Sequence, residues 1–350
     1  MHVIPPLTIT DSMLTSSTVV ETAPSAWDSG TTYALNDTAS IAGANGLMTV
    51  YKSLQNSNTN HLTSDTDWWV NIGTTYQTYA GGTTYAISDR VIDATNHLIY
   101  ESLANTNIGH ALTDTTWWLE IGPTNKWAMF DLLRNTQSTA PTSIAFTLSP
   151  GQRIDSLALL AIVANSVTIT ATSSGATVYS YTENLSNRHV NNWYDYFYLP
   201  FHTKPSLLLL DIPPYSNIVI TITLSGLDSI SLGACVVGIK EYIGAIQYSA
   251  ESDTLNFSTV ERDFSGGTSV MIQRRNVPKT VQNCFVEKSR INRIRTIKDS
   301  IAGSPAVWSG IDDSSSDYFE SLLILGFYKR FSFNLAYPDY AVISLELEEI

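Results

Sequence analysis

Cysteine is nearly absent from this sequence: Cys235 and Cys284 are the only two in 350 residues, too few for a disulfide framework. Both stand in apolar surroundings and read as small buried hydrophobes, compatible with folding in a reducing cytoplasm. Charge is scarce as well. Asp, Glu, Lys and Arg make up 15% of the chain, where about a quarter is usual. Thr, Ser and Asn fill the gap, and such side chains suit exposed strand faces and turns. Long apolar runs are missing too. Stretches such as Leu207–Leu210 and Cys235–Ile239 fall far short of a bilayer crossing, so no membrane insertion is expected. The opening Met-His-Val-Ile-Pro-Pro has neither a basic n-region nor an apolar h-region, and no signal peptide is expected.

The signatures of covalent chemistry are also lacking. The six histidines, His2, His61, His97, His110, His189 and His202, never fall at a metal-binding spacing, so neither a metal nor a cofactor is expected. There is no Gly-x-Ser-x-Gly elbow and no Walker or dinucleotide fingerprint. Carboxylate pairs such as Asp65/Asp67 and Asp312/Asp313 read as turn residues. Glycosidase carboxylates come from distant parts of a chain, so a glycan-degrading enzyme stays an alternative reading, and the expectation is that the protein is not an enzyme.

Basic residues are rare in the front of the chain. Before Asn125 only Lys52 and Arg90 are basic, against eleven acidic residues. That balance argues against a nucleic-acid partner there. Of the nineteen basic residues, eight lie between Arg274 and Lys298. Pairing with an acidic neighbouring subunit is the preferred use of that stretch, with Arg274, Arg275, Arg290, Arg293, Arg295 and Lys298 as candidate interface residues.

What the chain does contain is a stretch written twice. Trp27 through Tyr33, Tyr51 to Asn56 and Asp65-Thr-Asp-Trp-Trp-Val-Asn-Ile-Gly73 recur as Tyr79 through Tyr85, Tyr100 to Asn105 and Asp114-Thr-Thr-Trp-Trp-Leu-Glu-Ile-Gly122. Tyr51 to Tyr100, Trp69 to Trp118 and Gly73 to Gly122 are all steps of 49 residues. Tyr33 to Tyr85 is 52, which puts a three-residue insertion in the first copy. Such duplication fixes the structural unit. No segment of it keeps a helical period, and its short apolar pieces predict two or three strands around an aromatic centre. Neighbouring strand residues point to opposite faces. One member of Trp68/Trp69, and one of Trp117/Trp118, can therefore fill a core while the other faces outward. An exposed indole flanked by Asn and Asp offers a sugar ring an apolar face and polar partners. The other reading packs both indoles, one inside the module and one against the neighbouring repeat. His61 and His110 occupy equivalent positions in Asn-rich loops and read as turn or surface residues.

The order of these residues resembles the small chitin-binding-type carbohydrate modules (families 5 and 12). Trp27, Tyr33, Tyr51, Asn56 and Trp69 carry the resemblance in copy one; Tyr79, Tyr85, Val91, Tyr100, Asn105 and Trp118 carry it in copy two. The usual Gly-Asp after the first Tyr is Asn36-Asp37 and Ser88-Asp89 here, and the usual Pro before the final Trp is missing. The resemblance implies candidate carbohydrate-binding residues Trp27, Tyr33, Trp68, Trp69, Tyr79, Tyr85, Trp117 and Trp118.

At this length two or three domains are expected. Residues 1–23 read as an extended N-terminal arm that completes a sheet elsewhere. Repeats at 24–74 and 75–124 follow, then a β-sandwich at 125–245 and a β continuation at 246–350. In the sandwich Ile218, Ile220, Ile222 and Leu224 alternate with Val219, Thr221 and Thr223, while Leu232–Ile239 is apolar throughout. Alternation over Asn192–Tyr198 predicts a strand with Trp193, Asp195 and Phe197 on its core face. One amphipathic helix is predicted over 289–302, capped by Ser289, ridged by Ile291, Ile294, Ile297 and Ile301, ended by Gly303 and Pro305, with a basic outer face. The acidic Glu346-Leu-Glu-Glu349 is available to a basic surface on a neighbour. The fold class is therefore mainly β: a β-sandwich or jelly-roll scaffold with one amphipathic helix, plus two small tandem aromatic-rich β modules.

Four stretches resemble tail proteins of tailed bacteriophages, of the distal-tail or baseplate kind: Val3-Ile-Pro-Pro-Leu-Thr-Ile-Thr-Asp-Ser-Met-Leu-Thr15, Gly122 through the Trp127-Ala-Met-Phe-Asp131 block, Pro213-Pro-Tyr215, and Gly326–Phe331 with Tyr337-Pro338 and Ser344–Glu349. The resemblance implies a virion component made in the host bacterial cytoplasm, assembled as a symmetric ring, with the repeats projecting outward. It implies as partners other copies of the chain, the tail tube and hub proteins, and host surface glycan. A receptor-binding protein that grips surface glycan through the repeats is the main alternative.

Overall fold

The computed structural model describes residues 1–187, 192–198, 202–226, 229–248, 250–262, 268–272, 276–314, 316 and 318–350. The chain is mainly β, with 49% strand and 9% helix. Alternation builds its first two layers. In Ile218–Ser225 every second residue from Ile218 to Leu224 is fully buried, and the threonines between are half-exposed. This strand is third in a five-stranded sheet ordered Ala176–Asn184, Ser166–Ser173, Ile218–Ser225, Ser143–Leu148, Leu14–Ser17. Facing it is a four-stranded sheet ordered Ser138–Ala140, Ile230–Gly238, Ser156–Val163, Ser206–Leu209. Leu157, Leu159, Leu207, Leu209, Cys235 and Val237 of the second sheet meet Phe146, Ile169, Ile220 and Ile222 of the first in one core.

The four-stranded sheet is covered on its other side as well. Ala158, Leu160, Leu208, Ala234 and Val236 point into a second core, shared with Ile4, Val307, Leu323 and Leu325 of a C-terminal sheet. Burial on both faces is why these strands read as unbroken apolar runs. The C-terminal sheet is ordered Glu241–Tyr242, His2–Ile4, Ala306–Ser309, Leu323–Asn334, Tyr340–Glu349, Asn276–Glu287, Ala245–Ile246, and Glu251–Asn256 also pairs with Asn276–Glu287. Its first and last strands are pieces of one continuous segment, so the sheet curls around a third core. Val3, Cys284, Trp308, Ile324, Ile343, Leu345 and Leu347 fill that core, and Ile294 and Ile297 of the helix Ile291–Ser300, with Ile301 just after it, pack into it. Gly326 permits the tightest pairing: a Cβ there would sit 1.9 Å from the Glu348 carbonyl oxygen.

The arm residues are stitched into both bodies. His2–Ile4 pairs with Ala306–Ser309, and Leu14–Ser17 pairs with Ser143–Leu148. Val3 faces the third core and Ile4 the second.

Two local expectations are corrected. Trp193–Tyr198 is a short helix, not a strand, and buries none of its residues. Asn192 supplies the reason. Its Oδ1 accepts the Asp195 backbone N–H at 2.9 Å, an N-cap contact that favours a helical turn over the extended chain the alternation suggested. Nor does Ser289 cap the C-terminal helix. Lys288–Arg290 forms a 3-10 turn ahead of Ile291, so Ser289 lies inside the helical segment, with its hydroxyl 3.4 Å from Glu287 Oε2. The helix does stop ahead of Gly303, whose φ is 83°.

Truncating Ile4, 1% exposed between two sheets, to Ala is expected to cost about 2–5 kcal/mol in urea unfolding. Tyr248→Ala, at a fully exposed residue, is expected to change stability by no more than about 0.5 kcal/mol. Equal effects would mean that the N-terminal strand does not brace the molecule.

Candidate functional site

Each repeat folds as three antiparallel strands: Thr38–Ala42, Leu47–Ser53 and Trp69–Thr78 in the first, Arg90–Asp93, Leu98–Ser102 and Trp118–Pro123 in the second. The ten-residue strand Trp69–Thr78 outruns its partner, and its end pairs in parallel with the second repeat, Gln77 against Val91 and Thr78 against Ile92. The two modules thereby share one six-stranded sheet.

Duplication extends to single hydrogen bonds. The Tyr33 hydroxyl accepts the Asp28 N–H at 2.9 Å, and the Tyr85 hydroxyl accepts the Ala80 N–H at 2.9 Å. Asp37 and Asp89 each accept a backbone N–H three residues back, at 2.7 Å in both copies. Buried Asn58 donates to the Ser53 hydroxyl, and buried Asn107 to the Ser102 hydroxyl, each at 3.0 Å. Their Oδ1 atoms are both buried without a hydrogen-bond partner. Asn36 and Ser88, which stand where the resembled modules carry Gly, adopt φ of 74° and 70°. The backbone there is left-handed; Asn tolerates that conformation and Ser adopts it at a cost.

The aromatic centres divide the candidate residues. Trp69 and Trp118 are each 2% exposed and present no face to a ligand. Their indole N–H groups donate to the carbonyls of His61 at 2.9 Å and His110 at 3.1 Å. The same carbonyls accept from Trp27 Nε1 at 3.1 Å and from the Tyr79 hydroxyl at 2.7 Å. Tyr33 meets Trp69 edge-on at 4.9 Å, and Tyr85 meets Trp118 edge-on at 5.3 Å. Trp27, Tyr79 and Tyr85 are half-buried in these contacts. Trp68 and Trp117 are the outward members of their pairs, half-exposed, each with an imidazole stacked on one face at 3.8 Å: His61 on Trp68 and His110 on Trp117. The histidines thus do more than fill a turn. Their carbonyls tie each aromatic centre and their rings cover one side of each outward indole. The 49-residue step between them was the signal; a backbone acceptor leaves none.

The modules join the scaffold at a polar seam around Glu21. Its carboxylate lies 2.6 Å from His97 Nδ1, 3.3 Å from Trp127 Nε1, 3.3 Å from Thr124 Oγ1 and 3.5 Å from Lys126 Nζ. The other His97 nitrogen is 3.2 Å from Asp11, and the ring stacks on Trp127 at 4.1 Å. Trp127, Ala128 and Met129 are buried beneath this seam, with Met129 0% exposed.

The basic helix spends several of its charges within the chain. Arg293 makes a forked pair with Glu241 at 2.8–3.1 Å. Arg290 lies 5.4 Å over the Tyr242 ring, and Lys298 lies 5.7 Å over Phe331 and 5.8 Å over Phe333. Arg295 is exposed. Arg274 and Arg275 lie outside the described residues. The acidic C-terminal stretch is a strand, and its carboxylates find partners in the same chain: Glu346 with Lys279, Glu348 with Lys329 at 3.3 Å, and buried Glu349 with Arg134 at 2.6 Å. Among the described residues no group of three or more His, Cys, Asp or Glu side chains is placed to hold a metal ion. Compared with protein-family models and with curated proteins, the chain matches none.

Trp69→Ala or Trp118→Ala is expected to cost about 3–5 kcal/mol in chemical denaturation followed by tryptophan fluorescence, with Trp68→Ala costing clearly less; the reverse order would contradict the division of roles. Ser88→Gly relieves the left-handed strain and is expected to raise stability by up to about 1 kcal/mol. A loss would show that the Ser88 side chain makes contacts outweighing the strain.

Proposed function

We propose that the chain is a non-enzymatic structural component of a tailed-bacteriophage tail tip, assembling with copies of itself into a closed ring and turning the two aromatic modules outward. The observation that carries the reading is the Trp127-Ala-Met-Phe-Asp131 block. It is the most specific of the resemblances to phage tail proteins, and it is also the buried seam on which the modules hang. A block with that task has its identity constrained by both bodies. The layered scaffold supports the reading as well: three sheets stacked through shared cores make a rigid body, and closed cyclic symmetry is the ordinary outcome when identical rigid subunits associate. Tail-tube and hub proteins are the further partners this reading brings.

A second reading, a receptor-binding protein that holds host surface glycan through the repeats, is favoured by Trp68 and Trp117. Each keeps part of an indole at the surface of its module, the kind of face on which a sugar ring stacks. The two readings are compatible in one subunit.

Light scattering coupled to size exclusion tests the ring. A mass of several times 38.5 kDa, with annular particles in negative stain, is expected. A monomer at every concentration would overturn the proposal.

A further inference from the structure

We infer that the cleft between the two modules is a binding site of its own, for a neutral pyranose unit of a glycan. The inference rests on the reading of the modules as glycan-facing, and adds to it a site that neither module contains alone. The cleft encloses about 490 Å³ and is lined by Ala44, Asn45, Leu47 and Tyr76 from the first module and by Ser88, Arg90 and Glu101 from the second. That volume is within the range of small-ligand sites.

The chemistry of the cleft is where the duplication has diverged. Thr38 pairs with Lys52 across neighbouring strands of the first module. The equivalent cross-strand pair in the second module is Arg90 with Glu101. Arg90 Nε and Nη2 each donate to Glu101 Oε2 at 2.8 Å, and Nη1 reaches the Tyr76 hydroxyl at 3.3 Å. The Tyr76 and Glu101 hydrogen bonds hold the guanidinium above its ordinary pKa. The pair is electrically balanced, so no unmatched positive charge waits for an anion. With eleven acidic residues against two basic ones before Asn125, an acidic ligand would be repelled.

Hydrogen-bonding capacity remains. Glu101 Oε1, the Asn45 amide, the Ser88 hydroxyl and the Tyr76 hydroxyl proton have no hydrogen-bond partner among the described residues. These are acceptors and donors of the kind that sugar hydroxyls pair with, in a cleft also lined by Leu47 and Tyr76. The wall is preformed. Asn45 and Gly46 take φ of 54° and 74°, and a Cβ on Gly46 would lie 2.7 Å from the Arg90 carbonyl oxygen. The turn is pressed against the second module and holds the cleft's width without a ligand.

The test is calorimetric titration of the full chain with neutral oligosaccharides of hexose and N-acetylhexosamine, and with uronic-acid or sialylated oligosaccharides. It uses three proteins: the unaltered chain, Asn45→Gly/Glu101→Gln, and Trp68→Ala/Trp117→Ala. Asn45→Gly alone, at an exposed left-handed position, serves if the double variant melts early. Neutral-glycan binding weakened by about tenfold or more in the cleft variant, with an unchanged melting temperature, is the expected result. Binding kept in the cleft variant but lost in the tryptophan variant would overturn the cleft and leave the glycan-facing reading standing. A preference for acidic oligosaccharides would overturn the assignment of a neutral ligand. No binding by the unaltered chain would overturn both.

Discussion

A sheet buried on both faces has no side left for water, and that constraint shapes the scaffold. Ser156–Val163 and Ile230–Gly238 send alternate residues into two different cores. The five-stranded sheet and the curled C-terminal sheet must therefore both be present for either face to be dry. Apolar burial of this kind is the dominant favourable contribution to folding. It also explains why the N-terminal segment is drawn into both bodies. His2–Ile4 supplies one buried residue to each side of its sheet, and Leu14–Ser17 closes an edge of the sandwich. An arm used twice makes the two bodies one mechanical unit.

The modules are stabilised differently. A unit of about 50 residues builds only a marginal aliphatic core, and these two rely on large rings and on buried polar ties. In each, one carbonyl, of His61 or His110, gathers two aromatic donors. Those contacts fix the loop whose imidazole stacks on the outward indole. The outward indole and the aromatic core of each module are in this way mechanically coupled. One difference between the copies lies at their junction, where the second copy has an arginine–glutamate pair in place of the first copy's threonine–lysine pair.

The architecture was legible wherever a period of two ran against a continuous core. Ile218–Leu224 shows it as alternation, and Leu232–Gly238 shows it as an unbroken apolar run because both of its faces are covered. The duplication was legible because aromatic side chains mark it. Trp193–Tyr198 misled because alternation was counted without the Asn192 cap. Glu346–Glu349 suggested an outward-facing tail because Lys279, Lys329 and Arg134, its partners, are distant in sequence. The roles of His61 and His110 rest on main-chain carbonyls, which no residue type announces. The inter-module cleft depends on a parallel pairing two residues long, too short to leave a pattern.

The proposed function divides the labour between a β scaffold that associates with its own copies and a pair of aromatic modules hung from it at the Glu21–Trp127 seam. Cryo-electron microscopy of tailed-phage particles assembled with this chain, a gold label fixed to its modules, tests that proposal most directly. The account predicts labels in a symmetric circle around the tail tip, outside a continuous ring of scaffold density. Labels clustered on the central axis, or a tail that carries none, would contradict it.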